Sequence, residues 1–210
     1  MFELLQPIDE AIQTSIQSGW HFSSILDWIM RVFSVIDNHG EIWIAIAVLF
    51  LFFKRTRKVG ICMGCALLVE VLLCDGILKH IFARPRPYNV LTQFEPLLPR
   101  LNSYSFPSGH TMSSFAGSVS LFVAESVYLC EATVAGFFRR HRFGISAIVL
   151  AVIISFSRVF LFMHWPSDIL AATIIGCIQG ALCALAFVAI EKKIAKKRAA
   201  SLSVENKDAV

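Results

Sequence analysis

The chain has 210 residues, of which 56% are hydrophobic and only 16% are charged. This apolar content exceeds that of an ordinary soluble domain, so the composition excludes a soluble globular protein and indicates a membrane protein. The formal net charge of +4 comes from basic residues beside the apolar runs; it predicts membrane topology and does not indicate nucleic-acid binding.

Residues 8–36 place apolar side chains at helical spacing among charged ones, which is typical of amphipathic helices lying in a membrane interface. Residues 1–37 are therefore predicted to form an N-terminal interfacial segment. Five apolar runs of spanning length follow, near 38–53, 59–78, 111–130, 143–163 and 168–190. The predicted fold is all-α: a polytopic membrane bundle of about five transmembrane helices over 38–190, followed by a basic cytoplasmic tail over 191–210.

Three clusters of Lys and Arg predict the orientation, because short cytoplasmic loops collect these residues. The clusters occupy 54–58, 138–142 and 192–198. All of them fall on one side of a five-span arrangement, which predicts that this side and the C-terminus are cytoplasmic. The loop 79–110 and the turn 158–168 are then expected to face outward.

Few polar groups interrupt the apolar runs. The six cysteines lie within or beside these runs, which predicts free thiols used as small apolar residues. Cys62 and Cys65 form a CxxC pair, but no second Cys or His pair accompanies it, so it is weak evidence for a metal. Glu70 and Asp75 lie inside the second run, away from the polar motifs; they are interpreted as packing residues or as part of a substrate channel.

The first polar stretch on the outer side is KHIFARPRPY, residues 79–88. Lys79 and Arg86 are seven residues apart, which would be two turns of a helix. The prolines on both sides of Arg86 stop the helix, so Arg84 and Arg86 are predicted to leave it in an extended or turn conformation. Taken alone, this group would be an ordinary interfacial anchor.

The second polar stretch is SFPSGHT, residues 105–111, directly before the third apolar run. A Ser-Gly turn that leads into a helix presents unpaired backbone N–H groups and the positive end of the helix dipole, which favours a bound anion. His110 adds a group that can carry or release a proton near neutral pH. The plainer alternative is a helix cap formed by Ser108.

The third polar stretch is SRVFLFMHWPSD, residues 157–168, between the fourth and fifth runs. Pro166 fits the first turn of the fifth helix, which is expected to bring the Asp168 carboxylate close enough to hydrogen-bond the His164 ring. A carboxylate on one ring nitrogen fixes the tautomer and leaves the other nitrogen as a nucleophile or base. Arg158 adds a third fixed cation.

Together the three stretches place cations, two histidines, a carboxylate and a helix N-terminus on the outer side. Lys79, Arg86 and Arg158 would neutralise a tetrahedral oxyanion, while one histidine attacks and the other protonates the leaving oxygen. The chemistry indicated is phosphoryl transfer through a phosphohistidine. A metal site is the alternative use of two histidines and an aspartate, but the cations would repel a divalent ion. We therefore expect neither a metal nor a cofactor.

In order and spacing, the three stretches resemble the motifs KxxxxxxRP, PSGH and SRxxxxxHxxxD of the type 2 phosphatidic acid phosphatase (PAP2) family. That family is similar to vanadium haloperoxidases and glucose-6-phosphatases in its active-site motifs. The resemblance covers about residues 38–190 and implies a metal-independent hydrolase whose site faces outward. Many members have six spans, whereas this chain begins with a predicted interfacial segment, so the resemblance does not extend to the N-terminal architecture.

The resemblance implies a role for each motif residue. His164 would be the nucleophile, Asp168 its orienting partner and His110 the general acid. The phosphate would be held by the remaining motif residues, namely Lys79, Arg86, Ser108, the Gly109 backbone and Arg158. Arg84 and Ser157 are candidates for supporting the site or for contacting a headgroup.

The connection 89–104 mixes Leu and Phe with few charges, which favours a lipid substrate over a soluble one, although an ordinary ordered connection would look the same. The resemblance implies a bacterial inner-membrane enzyme that acts on a lipid phosphate or diphosphate, with undecaprenyl diphosphate as the first expectation. Phosphatidylglycerophosphate, phosphatidate and diacylglycerol diphosphate are the close alternatives. A lipid-to-lipid phosphotransferase and a non-catalytic lipid-binding protein remain as other interpretations.

Overall fold

The computed structural model describes residues 2–19, 24–38, 40–129 and 141–208. Within these residues the regular structure is helical and contains no strand, which confirms the all-α prediction for that part of the chain. The α-helices described are α1 (Gln6–Gly19), α2 (Ser24–Val35), α3 (Glu41–Leu51), α4 (Arg57–Leu73), α5 (Lys79–Phe82), α6 (Pro87–Val90), α7 (Gly109–Tyr128), α8 (Arg142–Phe160) and α9 (Pro166–Asp208). Cys130 and most of the basic cluster 138–142 lie outside the described residues.

Three helical segments of the described chain are long and apolar enough to cross a membrane: Arg57–Val90, Arg142–Phe160 and Pro166–Ser201. They carry the second, fourth and fifth predicted spans. Helix α3, which carries the first, is apolar but only 11 residues long. Helix α7, which carries the third, has 20 residues, many of them serines. The count of five spans therefore stays a prediction.

Helix α7 lies at the centre of the bundle, and α4, α8 and α9 all pack against it. Because its side chains are mostly buried by these neighbours, α7 does not need the apolar surface of a lipid-facing helix. Its Ser114 hydroxyl accepts a hydrogen bond of 3.0 Å from the Trp43 indole of α3. The buried serines of α7 thus serve contacts between helices, as polar groups do in membrane bundles.

Two glycines bring α9 into close contact with α7. A Cβ atom at Gly176 would lie 2.7 Å from the carbonyl oxygen of Met112, and one at Gly180 would lie 2.5 Å from that of Ala116. Two small residues four positions apart are the usual means of bringing membrane helices together. The residue numbers of the contacts rise together, from Met112 with Gly176 to Ala116 with Gly180. Helices α7 and α9 therefore run parallel, and both begin at the same end of the bundle.

Other faces of the bundle are apolar and open. Along α4 and α9, leucine and isoleucine side chains that point away from α7 are more than half exposed, namely Leu68, Leu72, Ile174, Ile178 and Leu182. Water would make such a surface unfavourable, whereas the hydrocarbon of a bilayer accommodates it. This surface agrees with a membrane-embedded protein.

In its described residues, the N-terminal segment contains a short 3₁₀ helix, Phe2–Leu4, followed by α1 and α2. Helix α1 has the expected apolar side chains on an open surface, since Ile8 and Ile12 are exposed. Its polar face, however, is turned into the protein, where Asp9 and Gln13 are buried. Helix α1 therefore has an apolar face and a polar face, as its sequence spacing predicts. The placement of α1 in a membrane interface stays a prediction.

We expect Gly180→Ala to destabilise the bundle, because the new methyl group would push α9 away from α7. Overpacking of this kind costs about 1–3 kcal/mol, measured as a lower melting temperature of the purified protein in detergent. The matched control is Gly64→Ala in α4, where nothing lies within 4 Å of the added Cβ. Helix propensity should make this control neutral or stabilising by up to about 1 kcal/mol. Equal melting temperatures for the two variants would contradict the close contact.

Candidate active site

The N-terminus of α7 carries the second polar stretch. Ser108 is the N-cap, and its hydroxyl accepts from the Thr111 N–H at 3.5 Å, so the capping interpretation is correct. The Lys79 Nζ atom lies beside this helix start, 3.5 Å from where a Cβ at Gly109 would be. Within the described residues, the His110 Nε2 atom has no hydrogen-bond partner. A cation, a helix N-terminus and an imidazole are therefore brought together here.

Lys79 reaches this position through a change in helix geometry. Between α4 and α5 the chain forms a π-helical segment, Cys74–Leu78, in which the Lys79 N–H donates to the Cys74 carbonyl five residues back. Asp75 of the same segment lies 2.5 Å from Lys79 Nζ. Asp75 is therefore a partner of a motif residue, and the view that it lies away from the motifs was wrong, because the pair sits one helical turn apart.

Arg86 joins the first polar stretch to the third. Helix α5 ends at Phe82, and Arg86 is extended, as the prolines predict. Its Nε donates to the Ser103 carbonyl at 2.7 Å and its Nη1 to the Met163 carbonyl at 2.8 Å. Nη1 also lies 3.3 Å from His164 Nε2. These contacts fix the guanidinium directly beside the imidazole.

The partners of His164 define its tautomer. Nδ1 lies 2.7 Å from the Ser105 carbonyl, which can only accept, so Nδ1 carries the proton. Nε2 faces the Arg86 guanidinium, which can only donate, so Nε2 presents its lone pair. Burial, together with the charges of Arg86 and Arg158, holds the pKa of His164 well below its ordinary value. The imidazole is therefore neutral at pH 7 and available as a nucleophile.

The expected hydrogen bond between Asp168 and the His164 ring is not formed, because the closest oxygen is 3.8 Å from Nδ1. Asp168 Oδ2 instead accepts from the Trp165 N–H at 3.0 Å and from the Ser105 hydroxyl at 2.5 Å. In the first turn of α9 the carboxylate caps its own helix, and the Ser105 carbonyl reaches the imidazole first. Asp168 is thus connected to His164 only through Ser105, a residue that sequence reasoning missed.

Arg84 points away from the cavity and lies behind Asp168. Its Nη1 donates to Asp168 Oδ1 at 2.6 Å, and its Nη2 donates to Asp9 Oδ2 at 2.7 Å. The guanidinium is buried and lies over the rings of Phe2 and Trp165, 4.4 and 5.3 Å from their centroids. Of the two interpretations offered for Arg84, support of the site is the one that this geometry favours.

Arg158 and Ser157 lie at the end of α8. Arg158 donates to the Ser34 hydroxyl of α2 and is 2% exposed. Its backbone carbonyl accepts from the Met163 and His164 N–H groups and closes the turn that carries the His164 ring. Ser157 donates to the Ile154 carbonyl at 2.6 Å within its own helix. Both residues are buried close to His164, and neither lines the cavity between these elements.

A cavity of about 560 Å³ opens between these elements. Five of the predicted site residues line it: Lys79, Arg86, Gly109, His110 and His164. Three carboxyl groups outside the predicted set of site residues also line the cavity: Asp37, Glu70 and Asp75. Burial raises the pKa of Asp37 to about 7, so its charge is only partly present at neutral pH. For Glu70 and Asp75, this position favours the substrate-channel interpretation over a role in packing alone.

No group of three or more His, Cys, Asp or Glu side chains arranged to hold a metal ion occurs among the described residues. The cysteines that the structure describes are free thiols: Cys62, Cys65, Cys74, Cys177 and Cys183. Cys74 lies near the site, buried below the start of α7, 4.0 Å from the Pro107 carbonyl. The CxxC pair thus has no metal-binding partners in this part of the chain.

Known proteins share both the sequence and the fold. An undecaprenyl-diphosphatase of Sulfolobus acidocaldarius is 32% identical over 135 residues, which are 64% of this chain and 58% of that protein. The chain thus spans less than two thirds of that relative. A lipid A 4'-phosphatase of Bacteroides thetaiotaomicron is 26% identical over 193 residues, covering 86% of this chain and 77% of that protein.

The crystal structure of a transmembrane PAP2-type phosphatidylglycerolphosphate phosphatase from Bacillus subtilis superposes with a TM-score of 0.68. The match covers 91% of this chain and 88% of that chain at 24% identity, which shows a common fold. The sequence model of the PAP2 superfamily matches residues 58–192, well over half of the chain, and includes all three polar stretches. The chain belongs to the PAP2 superfamily.

Proposed function

We propose that the protein is an integral-membrane lipid phosphatase that works through a phosphohistidine on His164. The observation that carries this proposal is the state of the imidazole: neutral, with its Nε2 lone pair 3.3 Å from a fixed guanidinium at the wall of a cavity. An anionic phosphoryl group that binds Arg86 is thereby brought within reach of the nucleophilic nitrogen.

In the first step, Lys79, Arg86 and the N–H groups at the start of α7 would bind the phosphate oxygens. His164 Nε2 forms a bond to phosphorus while the bond from phosphorus to the lipid oxygen breaks. His110 gives a proton to the departing lipid oxygen. Burial and the neighbouring cations hold the pKa of His110 well below its ordinary value, so the bound phosphoryl anion has to raise that pKa for His110 to carry the proton. The positive charge that develops on the His164 ring is stabilised through Nδ1–H by the Ser105 carbonyl and by the nearby Asp168 carboxylate.

In the second step, a water molecule attacks phosphorus and the bond to His164 Nε2 breaks. His110, now neutral, takes the proton of the attacking water and returns to the state in which it began. Inorganic phosphate is released, and no metal or cofactor takes part. Transfer to the hydroxyl of a second lipid, instead of to water, would use the same groups.

The proposed topology has five spans within 38–190, with the cavity on the outer side and the basic tail 191–210 in the cytoplasm of a bacterial cell. The basic clusters at 54–58 and 192–198 support this orientation. Lys58 pairs with Glu191 at one end of the bundle, whereas the cavity is lined by residues at the other end of α4 and at the start of α7. Residues 1–37 would lie at the outer interface. The exposed isoleucines of α1 would then contact lipid.

Undecaprenyl diphosphate is the proposed first substrate. The Sulfolobus relative, an undecaprenyl-diphosphatase, supports this choice, and Leu101 at the cavity wall supports a substrate with a lipid chain. The connection 89–104 also packs on the segment that carries His164, which is the behaviour of an ordered connection. The lipid A 4'-phosphatase relative makes lipid phosphomonoesters the alternative substrate class.

The test is hydrolysis by the purified full chain, in detergent with EDTA, of undecaprenyl diphosphate, phosphatidylglycerophosphate, phosphatidate and diacylglycerol diphosphate. We expect phosphate release by the wild type and by His80→Ala, because His80 is exposed and does not line the cavity. His164→Ala should show none above background, and His110→Ala should lose roughly 10²- to 10⁴-fold. A ³²P label should appear on the wild-type chain and not on His164→Ala.

Wild-type turnover by His164→Ala on every lipid would contradict the mechanism. Loss of activity in EDTA that a divalent ion restores would count against it as strongly. Label on a second lipid, instead of in free phosphate, would assign the chain as a phosphotransferase.

The protonation state and tautomer of His164 are a separate prediction. Because its pKa lies well below the ordinary histidine value of about 6.5, the ring should stay neutral as the pH falls through that value and become charged only in more acidic solution. The measurement is ¹⁵N NMR of histidine-labelled protein in micelles, with His164→Gln to assign the signal. We expect the pattern of a neutral ring protonated at Nδ1 at pH 6.5. A half-protonated ring at that pH, or a proton on Nε2, would show that the assigned state is wrong.

A further inference from the structure

Helix α1 has a polar face that the proposed reaction does not use. Gln6, Asp9, Gln13 and Gln17 follow one another at intervals of three or four residues, so they share one face of the helix. Asp9 is 2% exposed and Gln13 is 0% exposed. Polar side chains this deeply buried on a peripheral helix require partners.

Those partners belong to the segment that presents the nucleophile. Gln13 Nε2 donates to the His164 carbonyl at 2.7 Å, and Gln17 Nε2 donates to the Phe160 carbonyl at 3.2 Å. Asp9 accepts from the Ser167 N–H at 2.9 Å and from its hydroxyl at 2.5 Å. Helix α1 therefore contacts the nucleophile segment at three points: at Phe160 where the segment starts, at His164, and at Ser167 where the segment ends.

A second route connects α1 to the imidazole through side chains. Asp9 accepts from Arg84 at 2.7 Å, and Arg84 donates to Asp168 at 2.6 Å. Asp168 accepts from the Ser105 hydroxyl at 2.5 Å, and the Ser105 carbonyl accepts from His164 Nδ1 at 2.7 Å. Each contact fixes the next, so the orientation and tautomer of the nucleophile are connected to a carboxylate in the N-terminal helix.

We propose that Asp9 and Gln13 are positioning residues for His164, and that α1 is the element that holds the nucleophile segment 160–167 in its reactive geometry. Neither side chain lines the cavity, so neither contacts the substrate. The effect on turnover rests on the proposed phosphatase function. The effect on the order of the segment does not.

The test uses isosteric variants of the full chain. Asp9→Asn removes a charge and one acceptor, and Gln13→Glu removes the donor to the His164 carbonyl. The controls are Glu3→Gln, which removes a carboxylate from an exposed residue just before α1, and Ser15→Ala on the exposed face of α1. Two measurements are made: amide hydrogen exchange of residues 160–167, and kcat and KM together with inhibition by inorganic phosphate.

We expect both test variants to exchange the amides of 160–167 about tenfold faster and to lose about 10- to 100-fold in kcat, since a nucleophile displaced by an ångström is this costly. Inhibition by phosphate should change less than about threefold, because Lys79 and Arg86 remain in place. The controls should match the wild type in both measurements.

Exchange and kcat equal to those of the controls would overturn the proposal. Faster exchange throughout the bundle, with phosphate inhibition weakened as much as kcat, would also overturn it, because the residues would then be merely structural. If the wild type hydrolyses no lipid phosphate, the proposed function fails, and the exchange comparison still decides whether α1 holds the segment.

Discussion

A buried arginine between two buried carboxylates is the interaction on which the geometry of the site depends. Arg84, Asp9 and Asp168 are all at most 3% exposed. An unpaired charge at such depth costs about 3–5 kcal/mol, so none of the three groups is stable there without the others. Because they come from the N-terminal helix, the RPRP turn and the start of α9, pairing them draws three distant parts of the chain to one point.

The two arginines of the RPRP sequence have separate tasks because of the backbone between them. The dihedral angles of Arg86, φ −76° and ψ 158°, are those of a polyproline II chain. Such a chain has three residues per turn, so residues two apart in it point in different directions. Arg84 therefore faces the carboxylates behind the site, while Arg86 faces the imidazole and the cavity. One short turn thus supplies both the partner of the buried carboxylates and the cation at the cavity wall.

Sequence reasoning selected the motif residues from their spacing, and it predicted a common location for them from the basic loops that indicate the topology. It did not predict the partner of His164, because a backbone carbonyl leaves no signature in a sequence and the carboxylate is only one helical turn away. It also missed the polar face of α1, whose contact from Gln13 to His164 joins residues 151 positions apart. Amphipathic spacing shows that a helix has two faces, but not which of them meets the protein.

The polar face of α1 also bears on where the working unit of this protein begins. The superfamily match starts at residue 58, yet the side chains that surround the nucleophile segment include Asp9 and Gln13. A fragment cut at the family boundary would keep every motif and still lack the helix that contacts the nucleophile segment, together with the cavity-lining residues Asp37, Asn38 and Gly40. For expression work, fusions and affinity tags therefore belong at the C-terminus, where α9 projects away from the cavity.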